Sequence, residues 1–110
     1  AIIEFNPIEA AEEIIAGYEE CPPIIHGGNS ASYSPSQDRI RMPNRVQFEN
    51  EEEYYSTLFH EATHSTGHKS RLNRPGMEHI SFGSEVYSKE ELIAEMGAAF
   101  LCTQTGSAQR

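Results

Sequence analysis

The sequence predicts a small α+β domain that holds a metal ion. Three features carry that prediction: helical periodicity near both ends and in the middle of the chain, two short alternating runs between the first and second helices, and His60-Glu61-Ala62-Thr63-His64 inside the middle helix. At 110 residues the chain is one domain, long enough for a modest core and too short for two. A formal charge of −9 argues against gripping nucleic-acid phosphates unaided. No apolar run approaches the roughly 20 residues of a membrane span, and the start lacks a basic region followed by an apolar block. Cys21 and Cys102, far apart and without paired spacing, read as buried thiols of a cytosolic chain, with a single long-range disulfide as the alternative.

Asn6-Pro7-Ile8-Glu9 carries the parts of a helix start: Asn6 as cap, Pro7 at the first helical position and Glu9 completing a capping box. Ala11, Ile14, Ile15 and Tyr18 then share one face, so this scaffold helix packs through that stripe and ends before Pro22-Pro23. Ile24–His26 reads as a short strand and Gly27-Gly28-Asn29 as a turn. Residues 31–34 and 39–42 alternate, and Pro35-Ser36-Gln37-Asp38 between them makes a hairpin with a four-residue connection. Pro43 ends the second strand, and Val46-Gln47-Phe48 is expected to add a third, giving a small antiparallel sheet. One edge of it either lies above the metal and pairs with an extended peptide, or the sheet only covers the helix.

The middle helix has Asn50 as its cap, Glu51, Glu52 and Glu53 at its positive end, and Glu53 in capping-box position. Tyr55, Leu58, Phe59 and Ala62 form its apolar stripe, and Gly67 supplies a stop. Residues four apart stack on one helical face, so His60 and His64 can offer both imidazoles to one divalent ion with Glu61 beside it. Zinc in such sites takes about three protein ligands and a water, and a neighbouring carboxylate can accept that water's proton. The basic stretch Lys69 to Arg74 either complements the helix C-terminus or binds an acidic substrate side chain. Residues 75–86, rich in glycine and without a period, read as a loop bordering the site.

Ser88 is expected to cap the last helix, whose Leu92, Ile93, Met96, Ala99, Phe100 and Leu101 imply burial over most of its surface, with Gly106 as the stop. Glu95 is then a carboxylate in an apolar run that needs a partner or a metal. Glu91 and Glu95 are four apart on one face, as the histidines are on theirs. The third ligand is placed at Glu91, with Glu95 one turn deeper as acceptor for a histidine N–H. Glu95 as ligand, with Glu91 closing a capping box on Ser88, is the alternative. His68 competes less well: the spacing of Gly67 is similar to H-E-x-x-H-x-x-G-x-x-H, but Ser70 stands where that pattern has histidine. His26 and His79 read as surface histidines. Tyr87 is a candidate donor to the oxyanion formed on attack, and Tyr54 and Tyr55 are weaker candidates for that role.

Tyr54 to Glu61, His64 to Arg74, Phe82-Gly83 and Tyr87 to Glu95, joined upstream by Ala31-Ser32-Tyr33 and Asp38 to Pro43, resemble the zincin-like metallopeptidase domain of ArdC-type antirestriction proteins. The resemblance implies that residues 1–110 form such a domain, in a bacterial, cytoplasmic protein carried on mobile genetic elements. It also implies zinc, or another divalent transition metal, as cofactor. Single-stranded DNA would be reached only through an N-terminal domain absent from this chain, which therefore reads as a C-terminal piece. The last helix is similar to that of gluzincins, in which a glutamate ligand is followed four residues later by a supporting acid; on that likeness Glu91 is the ligand and Glu95 the support. The expected reaction is hydrolysis of a peptide or protein substrate with Glu61 as general base. The alternative is a non-catalytic, metal-stabilised domain supporting DNA protection. No membrane is involved in either.

Overall fold

The computed structural model describes residues 7–75, 77 and 85–106, the side chains of 85–87 excepted. Helix α1 (Glu9–Ala16) is followed by strands β1 (Ile24–His26), β2 (Ser32–Ser34) and β3 (Arg39–Met42), then by helices α2 (Glu51–Ser65) and α3 (Glu85–Thr105). The domain is α+β as expected, with its strands gathered between the first and second helices.

The sheet has the order β1-β3-β2 and is mixed, not wholly antiparallel as the sequence suggested. β2 and β3 form the expected hairpin, with Tyr33 opposite Ile40, whereas β1 lies parallel to β3 with Ile24 beside Ile40. The third strand is thus β1, and the segment expected to supply it, residues 46–48, makes a 3₁₀ turn over Arg45–Gln47 instead. The turn is locally favoured because the Asn44 amide donates to Gln47 Oε1 at 2.9 Å. Val46 remains 58% exposed, so it adds no apolar burial that would draw the segment into a sheet.

The core lies where the sheet meets α2. Ile40 and Met42 are fully buried against Tyr54, Tyr55, Leu58 and Phe59, and each such side chain contributes about 1.5–3 kcal/mol through burial. Asn50 caps α2 by accepting from the Glu53 amide at 2.8 Å, as predicted. Helix α1 braces the far side of α2: the Tyr55 hydroxyl donates to Glu12, and Tyr18 and Ser65 share a hydrogen bond of 2.9 Å. It begins at Glu9 with extended Ile8 as its cap residue, so Pro7 precedes the helix rather than opening it. Asn6 lies outside the described residues.

Helix α3 departs furthest from expectation. It already covers Glu85, so Ser88 sits within it and caps nothing. Only one face is buried, through Glu90, Ala94, Ala98 and Cys102, spaced by four, while Leu92, Met96 and Phe100 are 58%, 63% and 64% exposed. The cause is a close helix crossing that small residues permit. A Cβ on Gly97 would stand 2.6 Å from Thr63 Oγ1 of α2, so α3 lies directly on α2 only because residue 97 has none. The large side chains consequently project from the opposite side. Gly106, at φ +77°, follows α3 as the expected stop.

Candidate metal centre

Helices α2 and α3 bring His60, His64 and Glu91 together, each offering a ligand atom within 4.8 Å of the others. The Glu91 carboxylate spans both imidazoles: Oε1 lies 2.8 Å from His64 Nε2 and Oε2 lies 3.3 Å from His60 Nε2. The rings are steeply inclined, with centroids 5.0 Å apart and planes at 78°. Their placement follows from one helical turn of separation on α2. Glu91 reaches them because Ala94, Gly97 and Ala98 let α3 approach.

The other nitrogen of His64 is committed. Nδ1 lies 2.7 Å from Glu90 Oε2, and Glu90 is in turn clamped by Arg74, whose Nε and Nη2 donate to its two carboxylate oxygens at 2.8 and 2.9 Å. Burial alone would raise the Glu90 carboxyl, but hydrogen bonds from Arg74 and His64 outweigh it and hold the group below its ordinary range. An ionised Glu90 accepts the Nδ1 proton, so Nε2 is the ring nitrogen turned to the Glu91 carboxylate. At 2.8 Å, Nε2 and the Glu91 oxygen can share a proton or, with that proton displaced, a metal ion. Two imidazole nitrogens and one carboxylate suit zinc or a neighbouring divalent transition metal, so the donor set fits such an ion.

Glu95 does not take the supporting role expected of it: it is exposed, and Glu90 occupies the place beside His64. Position 90 was missed because it reads as an ordinary acidic residue early in a helix, and the adjacent Glu90-Glu91 pair, pointing to different partners, was the available signal. Arg74 was legible only as a helix-end cation. It does meet the end of α2, donating to Thr63 O at 2.9 Å and Thr66 Oγ1 at 2.8 Å, but both its carboxylate contacts go to Glu90. Gly67 serves Arg74 rather than a left-handed stop, because a Cβ there would stand 2.8 Å from the guanidinium. Arg71 is likewise internal, gripping both oxygens of Asp38 at 2.8 Å and donating to Ser65 O at 3.0 Å. These two arginines are therefore structural, not binders of an acidic substrate.

The remaining candidates sort plainly. His68 faces Ser70 at 2.8 Å and is outside the ligand cluster. His26 is no idle surface histidine: its Nε2 lies 2.7 Å from the Tyr54 hydroxyl. With Tyr54 and Tyr55 turned to His26 and Glu12, neither hydroxyl lines the site. His79 and the side chain of Tyr87 lie outside the described residues.

Glu61 borders the ligand cluster, and its carboxyl is raised above the ordinary value, first by burial, with Glu91 adding to the rise and His64 and His60 opposing it. A proton-accepting group in this position gains basicity from such a shift. The cluster opens into a cleft of about 520 Å³ bounded by Ser32 and Tyr33 of β2 on one side and by Glu90 and Glu91 on the other. Among the described residues β2 is an edge of the sheet, so one row of its backbone groups has no strand partner there.

A sequence profile described as zincin-like metallopeptidase matches residues 9–110. The chain is 43% identical over 103 residues to a DNA primase TraC of Escherichia coli, covering 93% of this chain and 7% of that protein. It is 39% identical over 101 residues to an uncharacterized protein, y4eC, of Sinorhizobium fredii, covering 90% of this chain and 31% of that one. Among solved structures, metal-free plasmid-borne antirestriction protein ArdC superposes with a TM-score of 0.70 at 38% identity, over 94% of this chain and 35% of ArdC. Its Mn(II)-bound form gives 0.67 at 36% identity, over 94% and 37%. The chain thus spans about a third or less of the first-matched proteins' length.

Proposed function

The chain belongs to the zincin-like metallopeptidase family, and from that premise we propose that it is the zinc-dependent peptidase module of an ArdC-like antirestriction protein, hydrolysing peptide bonds. The observation that carries the reading is the convergence of His60, His64 and Glu91 next to the raised carboxyl of Glu61, in a cleft that an extended chain can enter.

In this reading His60, His64 and Glu91 hold the ion, and Glu90 with Arg74 fixes the His64 ring so that Nε2 faces inward. Zinc, when bound, supplies a Lewis acid and lowers the pKa of water. Glu61 takes a proton from the attacking water and returns it to the leaving amine. The β2 edge aligns the substrate by main-chain hydrogen bonds across the cleft. Tyr87, one helical turn before Glu91, is assigned as proton donor to the developing oxyanion, and Tyr87→Phe is expected to lower kcat more than it changes KM. Glu61→Gln is the direct test of turnover: zinc content stays at the wild-type level while cleavage of a protein or peptide mixture is abolished. Cleavage surviving in that variant contradicts the reaction.

A second reading has its own support, since two of the similar proteins carry names that concern DNA metabolism: a DNA primase and an antirestriction protein. There the metal steadies a non-catalytic domain, and single-stranded DNA is handled by a separate domain of the full-length protein. Protection of DNA in cells by a full-length protein carrying Glu61→Gln separates the two, because the second reading requires undiminished protection.

A further inference from the structure

His60 and Glu61 also border a second groove, of about 600 Å³, which runs between α2 and α3 away from the β2 side. Metal cleft and groove therefore meet at the centre of the site. The groove is built from small side chains: buried Ala98 and Cys102 of α3 form its base, and Ser56 and Thr57 of α2 border it. Among the described residues its lining contains no lysine or arginine, and its carboxylates are Glu61 at the junction and Glu95 on the α3 wall. Glu95 is exposed and makes no ion pair among the described residues. It stands four residues beyond Glu91, about 6 Å along the helix at 1.5 Å per residue.

We propose that this groove is the side-chain subsite that selects a basic residue next to the scissile bond, with Glu95 as its specificity-determining carboxylate; the substrate role rests on the peptidase reading above. A residue whose main chain lies at the metal cleft can direct a side chain along the groove. A lysine or arginine stem packs on Ala98 and Cys102, and its charged end meets Glu95 in a half-open setting where it keeps part of its hydration. A short or acidic side chain gains neither contact, and an acidic one meets two carboxylates.

Two measurements test the proposal separately from the peptidase reading. In the first, N-acetyl-lysinamide and N-acetyl-norleucinamide are titrated into the isotopically labelled protein while amide resonances of Thr57, Ala99 and Thr103 are followed. The lysine compound is expected to bind about two- to fivefold more tightly, the range of a solvent-accessible ion pair, and Glu95→Gln to abolish the difference. Equal binding of both compounds, or a preference that persists in Glu95→Gln, overturns it. In the second, cleavage sites in a peptide mixture are mapped with the zinc-loaded protein. Enrichment of basic residues beside the cut, lost in Glu95→Gln, supports the subsite, and cleavage without that enrichment overturns it. Absence of cleavage alongside intact discrimination between the two amides rejects the peptidase reading and leaves a cation-selective groove.

Discussion

Arg74 and Glu90 form a two-pronged ion pair, Nε to Oε1 at 2.8 Å and Nη2 to Oε2 at 2.9 Å, and the same Oε2 faces His64 Nδ1 at 2.7 Å. The pair joins the segment after α2 to the second turn of α3 and orients His64, a member of the candidate ligand cluster. Its side chains are 17% and 5% exposed, so the charges are largely removed from water. Losing Arg74 leaves Glu90 buried without its cation. Arg74→Ala should destabilise the fold by about 3 kcal/mol, within the range for breaking a buried pair, and weaken zinc binding by about 10- to 100-fold. Thermal melting and competition with a chelating dye read the two effects. Arg74→Lys, which keeps charge without the fork, should fall between.

Glu91 and Glu95 differ in their relation to the two histidines: Glu91 is within the candidate ligand cluster and Glu95 is not. Glu91→Ala removes one of three donors and should lower zinc affinity by more than the roughly 100-fold that outer contacts reach. Glu95→Ala should leave it unchanged, since Glu95 lies outside the ligand cluster. Zinc titration followed by calorimetry distinguishes them, and the reverse order of effects would exchange their roles.

Gly97 sets how near Glu91 comes to the histidines. Alanine would ordinarily improve a helix by about 1 kcal/mol at such a position. Here its Cβ would stand 2.6 Å from Thr63 Oγ1, which is itself held by a 2.8 Å hydrogen bond to Phe59 O. Gly97→Ala should therefore destabilise by about 1–2 kcal/mol through overpacking. Combining it with Thr63→Ala should recover at least about 1 kcal/mol, a coupling that urea denaturation of the four proteins measures.

Acid should release a second tether. Asp38 accepts both Arg71 prongs and the Tyr33 hydroxyl at 2.7 Å, and hydrogen bonding to Arg71 leads the effects that hold its carboxyl below the ordinary value of 3.8. A folded-state pKa below the unfolded one means that the stabilisation is complete above the unfolded value and is lost as pH falls through the folded one. Asp38→Asn should be less stable than wild type by about 1 kcal/mol at pH 7, and the gap should close progressively below about pH 3.8. Melting temperatures of both proteins from pH 7 down to pH 2 test the sign.

What the sequence disclosed and what it hid divide by range. His60, Glu61 and His64 were readable because an i, i+4 pair declares its geometry within one turn, and the Asn50 cap and the hairpin around Pro35–Asp38 are equally local. The parallel pairing of β1 with β3 was not readable, since nothing in Ile24–His26 encodes a partner beyond an intervening strand. Helix α3 misled because its abundance of large apolar residues suggested burial all round. Its buried face is decided instead by Ala94, Gly97 and Ala98, whose small size allows contact with α2. Glu90 was hidden for a related reason: its role depends on Arg74, sixteen residues earlier, and neither charge names the other in sequence.

The central claim is that one divalent ion is shared by His60, His64 and Glu91. A crystal structure of the zinc-loaded protein with anomalous data at the zinc edge tests it most directly. The expected result is one strong peak about 2.0–2.2 Å from His60 Nε2, His64 Nε2 and a Glu91 carboxylate oxygen. A peak bound instead through His68 or Glu95, or no peak at this cluster under saturating zinc, would contradict it.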